Sequence, residues 1–280
     1  MDAAFRLPTA GDDIERGCTN AFTCDAMSDP LPLTVVVITR DAGGQLAECL
    51  TSAAFAAELI VVDSGSRDDT LEIARRCGAR VIEQAWLGFG PQKNFGVAAA
   101  RHEWVFCLDA DERVSDELVR EVGRALADRG CAAYAMRRRN RFFGQWLRHG
   151  EGYPDWSVRL FDRRHARWSE DTVHEHVLVD GPVGRLRGDL LHASAESLDV
   201  YLAKQNRYTT LQAEALFARG ERFSAMRLVL SPLVRFVRFY VIRGGFLDGT
   251  AGLVHIAIGC FNSFCKYAKL RALEQSARSR

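Results

Sequence analysis

Two carboxylates stand one residue apart at the end of an apolar run, where Trp104-Val105-Phe106-Cys107-Leu108 leads into Asp109-Ala110-Asp111-Glu112. Acids this close repel each other unless a cation sits with them. Mg²⁺ and Mn²⁺ favour oxygen ligands, and Mg²⁺ is commonly held by one or two carboxylates plus substrate phosphates. Asp109 and Asp111 therefore suggest a metal–diphosphate site; the competing reading is a solvated turn in which Asp111 helps start the next helix. A second cluster, Ser169-Glu170-Asp171-Thr172-Val173-His174-Glu175-His176, gathers acids and imidazoles. A carboxylate there could act as a general base for a hydroxyl within hydrogen-bond reach. His174 and His176 with the nearby acids could instead ligate zinc, or the run could be a polar edge strand. A third cluster, Arg137-Arg138-Arg139-Asn140-Arg141, is the densest positive run. It suits phosphates on an anionic ligand and equally suits a solvated face.

The elements that must position these groups follow from hydrophobic patterning. A parallel strand buried on both faces reads as a continuous apolar run. Leu33–Thr39, Glu58–Val62, Arg80–Glu83 and Trp104–Leu108 read as such strands. Helices are expected over Leu46–Ala57, from Asp68 or Asp69 to Cys77, over Gln92–Ala100, and from a Ser115 N-cap to Asp128. This alternation implies βαβ units and a mostly parallel α/β sheet, with ligands beyond the carboxyl ends of the strands. Cys131–Arg138 and Trp156–Phe161 read as further strands, Asn140–Pro154 as a long loop, and Val173–Val179 with Val183–Leu191 as a hairpin around Asp180-Gly181. From Ser197 the pattern turns helical. One amphipathic helix runs from Leu198 to Arg219, and Met226–Ile242 is apolar but carries Arg227, Arg235 and Arg238. At helical spacing those arginines fall within about 80° of arc, a basic edge on an apolar rod.

Bulk properties narrow the classes. An apolar content of 48% allows a packed core, and a net charge of +1 argues against nucleic acid as a partner. The eight cysteines form no Cys-x-x-Cys pair or zinc spacing, which fits a reducing, cytosolic setting. Residues 1–30 read as a disordered tail without the apolar core of a signal peptide. No Gly-x-Gly-x-x-Gly follows a strand and no P-loop is present, which counts against dehydrogenases and P-loop enzymes. Crossing a bilayer takes about 20 apolar residues, and neither Met226–Ile242 nor Gly249–Cys265 qualifies. Apolar helices edged with Arg and Lys fit the plane of a membrane surface. The alternatives are packing on the α/β domain, a contact in a homo-oligomer, and insertion into the bilayer.

Ile60-Val61-Val62-Asp63-Ser64-Gly65-Ser66 with Asp68-Asp69-Thr70, Gln92-Lys93-Asn94-Phe95-Gly96 and Leu108-Asp109-Ala110-Asp111-Glu112 occur together and in order. Jointly they resemble the GT-A fold of inverting family-2 glycosyltransferases, over most of Leu33–Leu191. Trp86, Gly90-Pro91, Val173-His174-Glu175, Gly244-Gly245-Phe246-Leu247-Asp248-Gly249 and Lys266-Tyr267-Ala268-Lys269-Leu270 are similar to the lipopolysaccharide core glucosyltransferases of the WaaE/KdtX type. Arg40-Asp41-Ala42 departs from the Asn-Glu more often seen after the first strand in that family.

The resemblance implies a GT-A domain over 31–195, a Rossmann-like mostly parallel sheet flanked by helices; the basic-edged apolar pattern adds a helical extension over 196–280 expected to dock on the cytoplasmic face of the inner membrane. The resemblance also implies Mg²⁺ or Mn²⁺ as cofactor, a UDP-sugar donor (UDP-glucose), and a hydroxyl of an anionic glycolipid, the inner core of lipopolysaccharide, as acceptor. Thr39, Asp63, Lys93, Asn94, Asp109 and Arg159 are assigned to the donor, with Asp63 on uracil or ribose, Lys93 on the diphosphate or the base edge, and Arg159 toward the diphosphate. Asp109 and Asp111 are assigned to the metal. Glu175 is the expected base, and Asp171 the second choice. Two other readings stay open: a transferase of the same fold acting on a polyprenyl phosphate or other envelope acceptor, and a non-catalytic membrane adaptor.

Overall fold

The computed structural model describes residues 29–128, 130–171, 175–193 and 197–278. Nearly all of the expected N-terminal tail lies outside them, as do Thr172, Val173 and His174. The chain from Leu31 onward forms one compact unit. It opens with β1 (Leu31–Thr39), α1 (Gly43–Ser52), β2 (Ala56–Asp63), α2 (Thr70–Arg76), β3 (Arg80–Glu83), α3 (Phe89–Ala99) and β4 (Trp104–Asp109). Next come β5 (Glu112–Val114), α4 (Asp116–Asp128), β6 (Ala133–Phe142), β7 (Gln145–Trp146), β8 (Asp155–Asp162), β9 (Ala166–Trp168), β10 (Val177–Val179) and β11 (Val183–His192). Three long helices close the chain: α5 (Leu198–Ala218), α6 (Ala225–Phe236) and α7 (Gly249–Arg278).

The main sheet runs β3-β2-β1-β4-β8-β6-β11-β5. β3, β2, β1 and β4 are parallel. β8 is antiparallel to both β4 and β6, β11 is parallel to β6, and β5 is antiparallel to β11. The expected mostly parallel α/β sheet is therefore present, with two antiparallel strands let into it. Alternate residues of β1 serve opposite faces, as a strand's period of two requires. Val35 and Val37 join the core that includes Leu46, Leu50 and Leu118, whereas Val36 and Ile38 join the one that includes Val97 and Trp168. Both faces are covered, hence the unbroken β-branched run.

Register sets up the site. Thr39 stands opposite Asp63, and Ile38 opposite Asp109, so β1, β2 and β4 end at one level. His192, the last residue of β11, stands opposite Glu112 on one side and Asn140 on the other.

Two expectations are corrected. The strands flanking Asp180-Gly181 do not pair with each other: β10 pairs with β9, and β11 enters the main sheet beside β6. The strand expected over Cys131–Arg138 runs on to Phe142, so Asn140 and Arg141 lie within β6 and not in the expected loop, and the charges of this run are mostly matched internally. Arg137 and Arg139 meet Asp189 at 3.3 and 3.6 Å, and Arg138 meets Asp155 at 2.8 Å.

The C-terminal helices are capped and anchored. Ser197 and Ser224 accept from the amides three residues on and start α5 and α6. Pro232 cannot donate within α6, and the helix passes into a wide π-type turn over Val237–Ile242. Buried Asp248, just before α7, accepts from the amides of Arg148 (3.0 Å) and His149 (2.8 Å) and fixes that loop to the helices. Among the described residues no helix is long and apolar enough to cross a membrane.

Candidate active site

Asp109 ends β4 between two buried cations. Lys93 Nζ lies 3.1 Å from its Oδ1 and Arg159 Nη2 lies 2.7 Å from its Oδ2. Lys93 is 1% exposed and Arg159 3%, so neither is a surface residue. Burial works against the Asp109 charge, but Arg159 and Lys93 beside it hold the carboxyl well below the usual carboxylate range. Arg159 also binds Glu112 Oε1 at 2.6 Å, and Glu112 Oε2 accepts the Asp109 amide at 3.0 Å. Burial pushes the Glu112 carboxyl upward. Both cations face the Trp168 indole, Lys93 at 4.3 Å and Arg159 at 5.5 Å from the ring centroid.

α3 brings Lys93 here because Gly90 permits a close approach: a Cβ there would overlap the Ser169 carbonyl oxygen. Asn94, one residue on, accepts from the Trp168 amide and donates to its carbonyl, both at 2.9 Å. Its amide is thus spent on holding β9 against α3. Lys93 Nζ also reaches Glu175 Oε1 at 3.4 Å. One ammonium therefore links the acid at the end of β4 to the acid of the second sequence cluster. Asp171 stands elsewhere, half exposed, with its Oδ2 3.4 Å from His176 Nδ1.

Asp111 has a separate partner. Its Oδ2 meets His192 Nε2 at 3.1 Å, and His192 Nδ1 meets Asn140 Oδ1 at 2.7 Å. Burial opposes ionisation of Asp111, yet the His192 hydrogen bond and charge bring its carboxyl below the ordinary value. An aspartate and an imidazole side by side are both metal-ligating types. Asp109, in contrast, has each oxygen committed to a cation. The donors present fit a metal at Asp111 and His192 whose remaining ligands come from substrate phosphate oxygens. Among the described residues no group of three or more His, Cys, Asp or Glu is placed to hold a metal without such help.

Asp63 ends β2 and is 1% exposed. Its Oδ1 accepts from Thr39 Oγ1 at 3.0 Å and from the Ser66 hydroxyl; its Oδ2 accepts the Gly65 and Ser66 amides, both at 2.8 Å. Burial resists the charge, but these hydrogen bonds outweigh it and lower the carboxyl. Asp63 and Thr39 thus shape the Ser64–Ser66 loop, in which Gly65 takes φ +93°.

The structure brings together Lys93, Asp109, Arg159 and Glu175, and sets Asp111 beside the same motif. Glu112, Trp168, His192 and Asn140 belong to the site and were not singled out in the sequence. Glu112 follows the aspartates directly, and His192 is a polar residue closing an apolar strand, which are the signals that could have found them.

The model of the family described as glycosyl transferase family 2 matches residues 34–188. An uncharacterized glycosyltransferase of Rickettsia typhi is 30% identical over 88% of this chain and 89% of its own length. The lipopolysaccharide core biosynthesis glycosyltransferase LpsC of Rhizobium meliloti is 29% identical over 87% of this chain and 93% of its own. Among solved structures, S. aureus TarS 1–349 in complex with UDP-GlcNAc covers 89% of this chain and 92% of its own, with 14% identity and a TM-score of 0.46.

Proposed function

We propose, from the premise that this chain belongs to glycosyl transferase family 2, that it moves a hexose from a UDP-sugar to a hydroxyl of the lipopolysaccharide inner core, with inversion. The family makes it a glycosyltransferase with a GT-A domain and a helical extension; donor, acceptor and metal are our reading. LpsC, a lipopolysaccharide core biosynthesis enzyme by its name, supports the acceptor class. UDP-glucose is the donor we expect from the residue resemblance.

The observation that carries the mechanism is the Lys93 bridge, 3.1 Å to Asp109 and 3.4 Å to Glu175. It holds a carboxylate that is 23% exposed at a fixed distance from the strand end where a donor would lie. Glu175 would take the proton of the acceptor hydroxyl as it attacks the sugar from the far face. Thr39 and Asp63 would present the Ser64–Ser66 loop to the uracil and ribose. Arg159 and Lys93 would keep Asp109 ionised, and Glu112, which accepts its amide, would help orient it toward the donor ribose. Asp111 and His192 would hold Mg²⁺ or Mn²⁺, which when bound neutralises the leaving diphosphate.

The helical extension would rest on the cytoplasmic face of the inner membrane. Support comes from the apolar surface it leaves open: Leu233 is 56%, Val234 63% and Ile242 75% exposed. The expected basic edge contributes unevenly. Arg235 turns inward to Glu151 and Arg227 pairs with Glu221 at 2.8 Å, whereas Arg238 lies over the Phe239 ring.

The test follows UDP release and product mass with purified core acceptor. Glu175→Gln should keep donor affinity and lose transfer by at least a hundredfold, since a positioned general base contributes about 10²–10⁴. Unchanged kcat in that variant would reassign the base.

A further inference from the structure

A cavity of about 260 Å³ lies between the inner sheet and the C-terminal helices. Its sheet-side wall includes Asn140, Glu151 and Asp155, and its helix-side wall includes Tyr201, Gln205, Arg235, His255 and Asn262. It is slightly smaller than the ~300 Å³ lower bound of ordinary small-molecule sites, which suits one ring and its substituents better than a nucleotide.

Two connections tie this cavity to the site above. Asn140 binds His192, which binds Asp111. Asp155 pairs with Arg138, whose Nη1 lies 3.8 Å from Glu112, the partner of Arg159. A ligand in the cavity would thus sit two side chains, Asn140 and His192, away from Asp111.

The lining has the chemistry of hydroxyl recognition. Asn262 Nδ2 donates to Gln205 Oε1 at 2.8 Å. That bond leaves the Gln205 amide nitrogen and the Asn262 carbonyl oxygen, a donor and an acceptor, for a ligand. Tyr201 and His255 of the lining cluster with Phe142, centroids 5.3 to 6.4 Å apart, and together offer a surface for the apolar face of a ring. Charge argues against an anion here. Glu151 is neutralised by Arg235, and the remaining acid, Asp155, shares Arg138 with Glu112. Burial and the nearby Arg235 bring His255 down to about 4, so at neutral pH it adds no positive charge.

We infer that this cavity is the acceptor subsite, holding one uncharged sugar ring of the acceptor glycan by Gln205, Asn262 and the Tyr201–His255 surface. The inference rests on the transferase reading and deepens it. The helix-side residues, 201–262, lie outside the family match at 34–188. Acceptor choice would therefore be written in the extension, while donor handling is written in the family domain.

The test uses the full chain and delipidated core oligosaccharide, with and without UDP-sugar. Gln205→Leu with Asn262→Leu removes both members of one hydrogen bond at similar volume, which leaves no orphaned partner. Oligosaccharide binding, read by saturation-transfer NMR and calorimetry without donor, should weaken at least tenfold. The acceptor KM should rise by a similar factor while the donor KM moves less than twofold. Circular dichroism checks the fold, and His255→Ala, which opens the aromatic wall, is the second variant and should also weaken binding. Wild-type affinity in both variants overturns the inference, as does a wild-type protein that transfers sugar but whose acceptor KM neither variant moves. Oligosaccharide binding by a wild-type protein that transfers nothing would support the cavity and sink the transferase reading instead.

Discussion

Replacing Lys93 by Met removes one ammonium from a site that is 1% exposed while keeping an unbranched side chain of similar bulk. Packing changes are therefore small, and the effect is electrostatic. Two carboxylates lose a shared counter-ion that now lies 3.1 and 3.4 Å away. Asp109 keeps Arg159 at 2.7 Å, so its loss is one unsatisfied buried oxygen, about 1–3 kcal/mol. Glu175 is partly open to solvent, and its share is about 0–1 kcal/mol. The expected destabilisation is thus about 1–4 kcal/mol, at or below the ~3–5 kcal/mol of a buried pair broken outright. With an m-value near 1–3 kcal/mol/M, the urea midpoint should fall by roughly 1 M. Tryptophan fluorescence is a suitable probe because Trp168 lies under the lost cation. Transfer should drop at least tenfold, since Glu175 loses its tether. Lys93→Arg should not rescue either property, because a planar guanidinium does not fit a point-charge site this enclosed. A midpoint and kcat equal to wild type would refute the claim that Lys93 joins the two acids.

Other consequences can be checked alongside. Asp111→Ala should abolish transfer with an unchanged melting profile to within a few degrees; near-wild-type turnover at saturating metal would remove Asp111 from ligand duty. Asp63 and Glu58 have carboxyls lowered from 3.8 and 4.5. The stability they supply is complete above those values and is lost as pH falls through the depressed ones, so urea midpoints should fall on acidification below about 4. Glu112, raised from 4.5, runs the other way: its protonation begins earlier and relieves a penalty. Midpoints that stay flat down to pH 3 would contradict the assignment. Leu233→Glu with Ile242→Glu should lower partition onto anionic phosphatidylglycerol vesicles by tenfold or more in flotation, given ~1.5–3 kcal/mol per buried aliphatic side chain. Equal flotation of both proteins would exclude that face as the contact.

Much of the side proposed for the donor could be read from the chain because its signals are local. β1, β2, β3 and β4 announce themselves as apolar runs, and Asp63 and Asp109 end two of them. The side proposed for the acceptor depends on which strands meet, and that is not local. Asp180-Gly181 has the composition of a hairpin turn, but β9 offers β10 a better edge, and β11 is drawn between β6 and β5. Only that register sets His192 between Glu112 and Asn140. The burial of Lys93 was equally hidden. A lysine near a helix start is ordinarily a surface residue, and nothing around Gly90 reveals that α3 lies against the Ser169 main chain.

α6 has a cavity on one side and open apolar surface on the other. Arg235 lines the cavity, while Val229 and Leu233 are more than half exposed. A helix with its side chains is about 10–12 Å across. If α6 lies in the headgroup layer, its thickness becomes a ruler. Sugars within roughly one helix diameter of the lipid would reach the pocket, and units farther along a glycan would overshoot it, so the enzyme would count position from the bilayer.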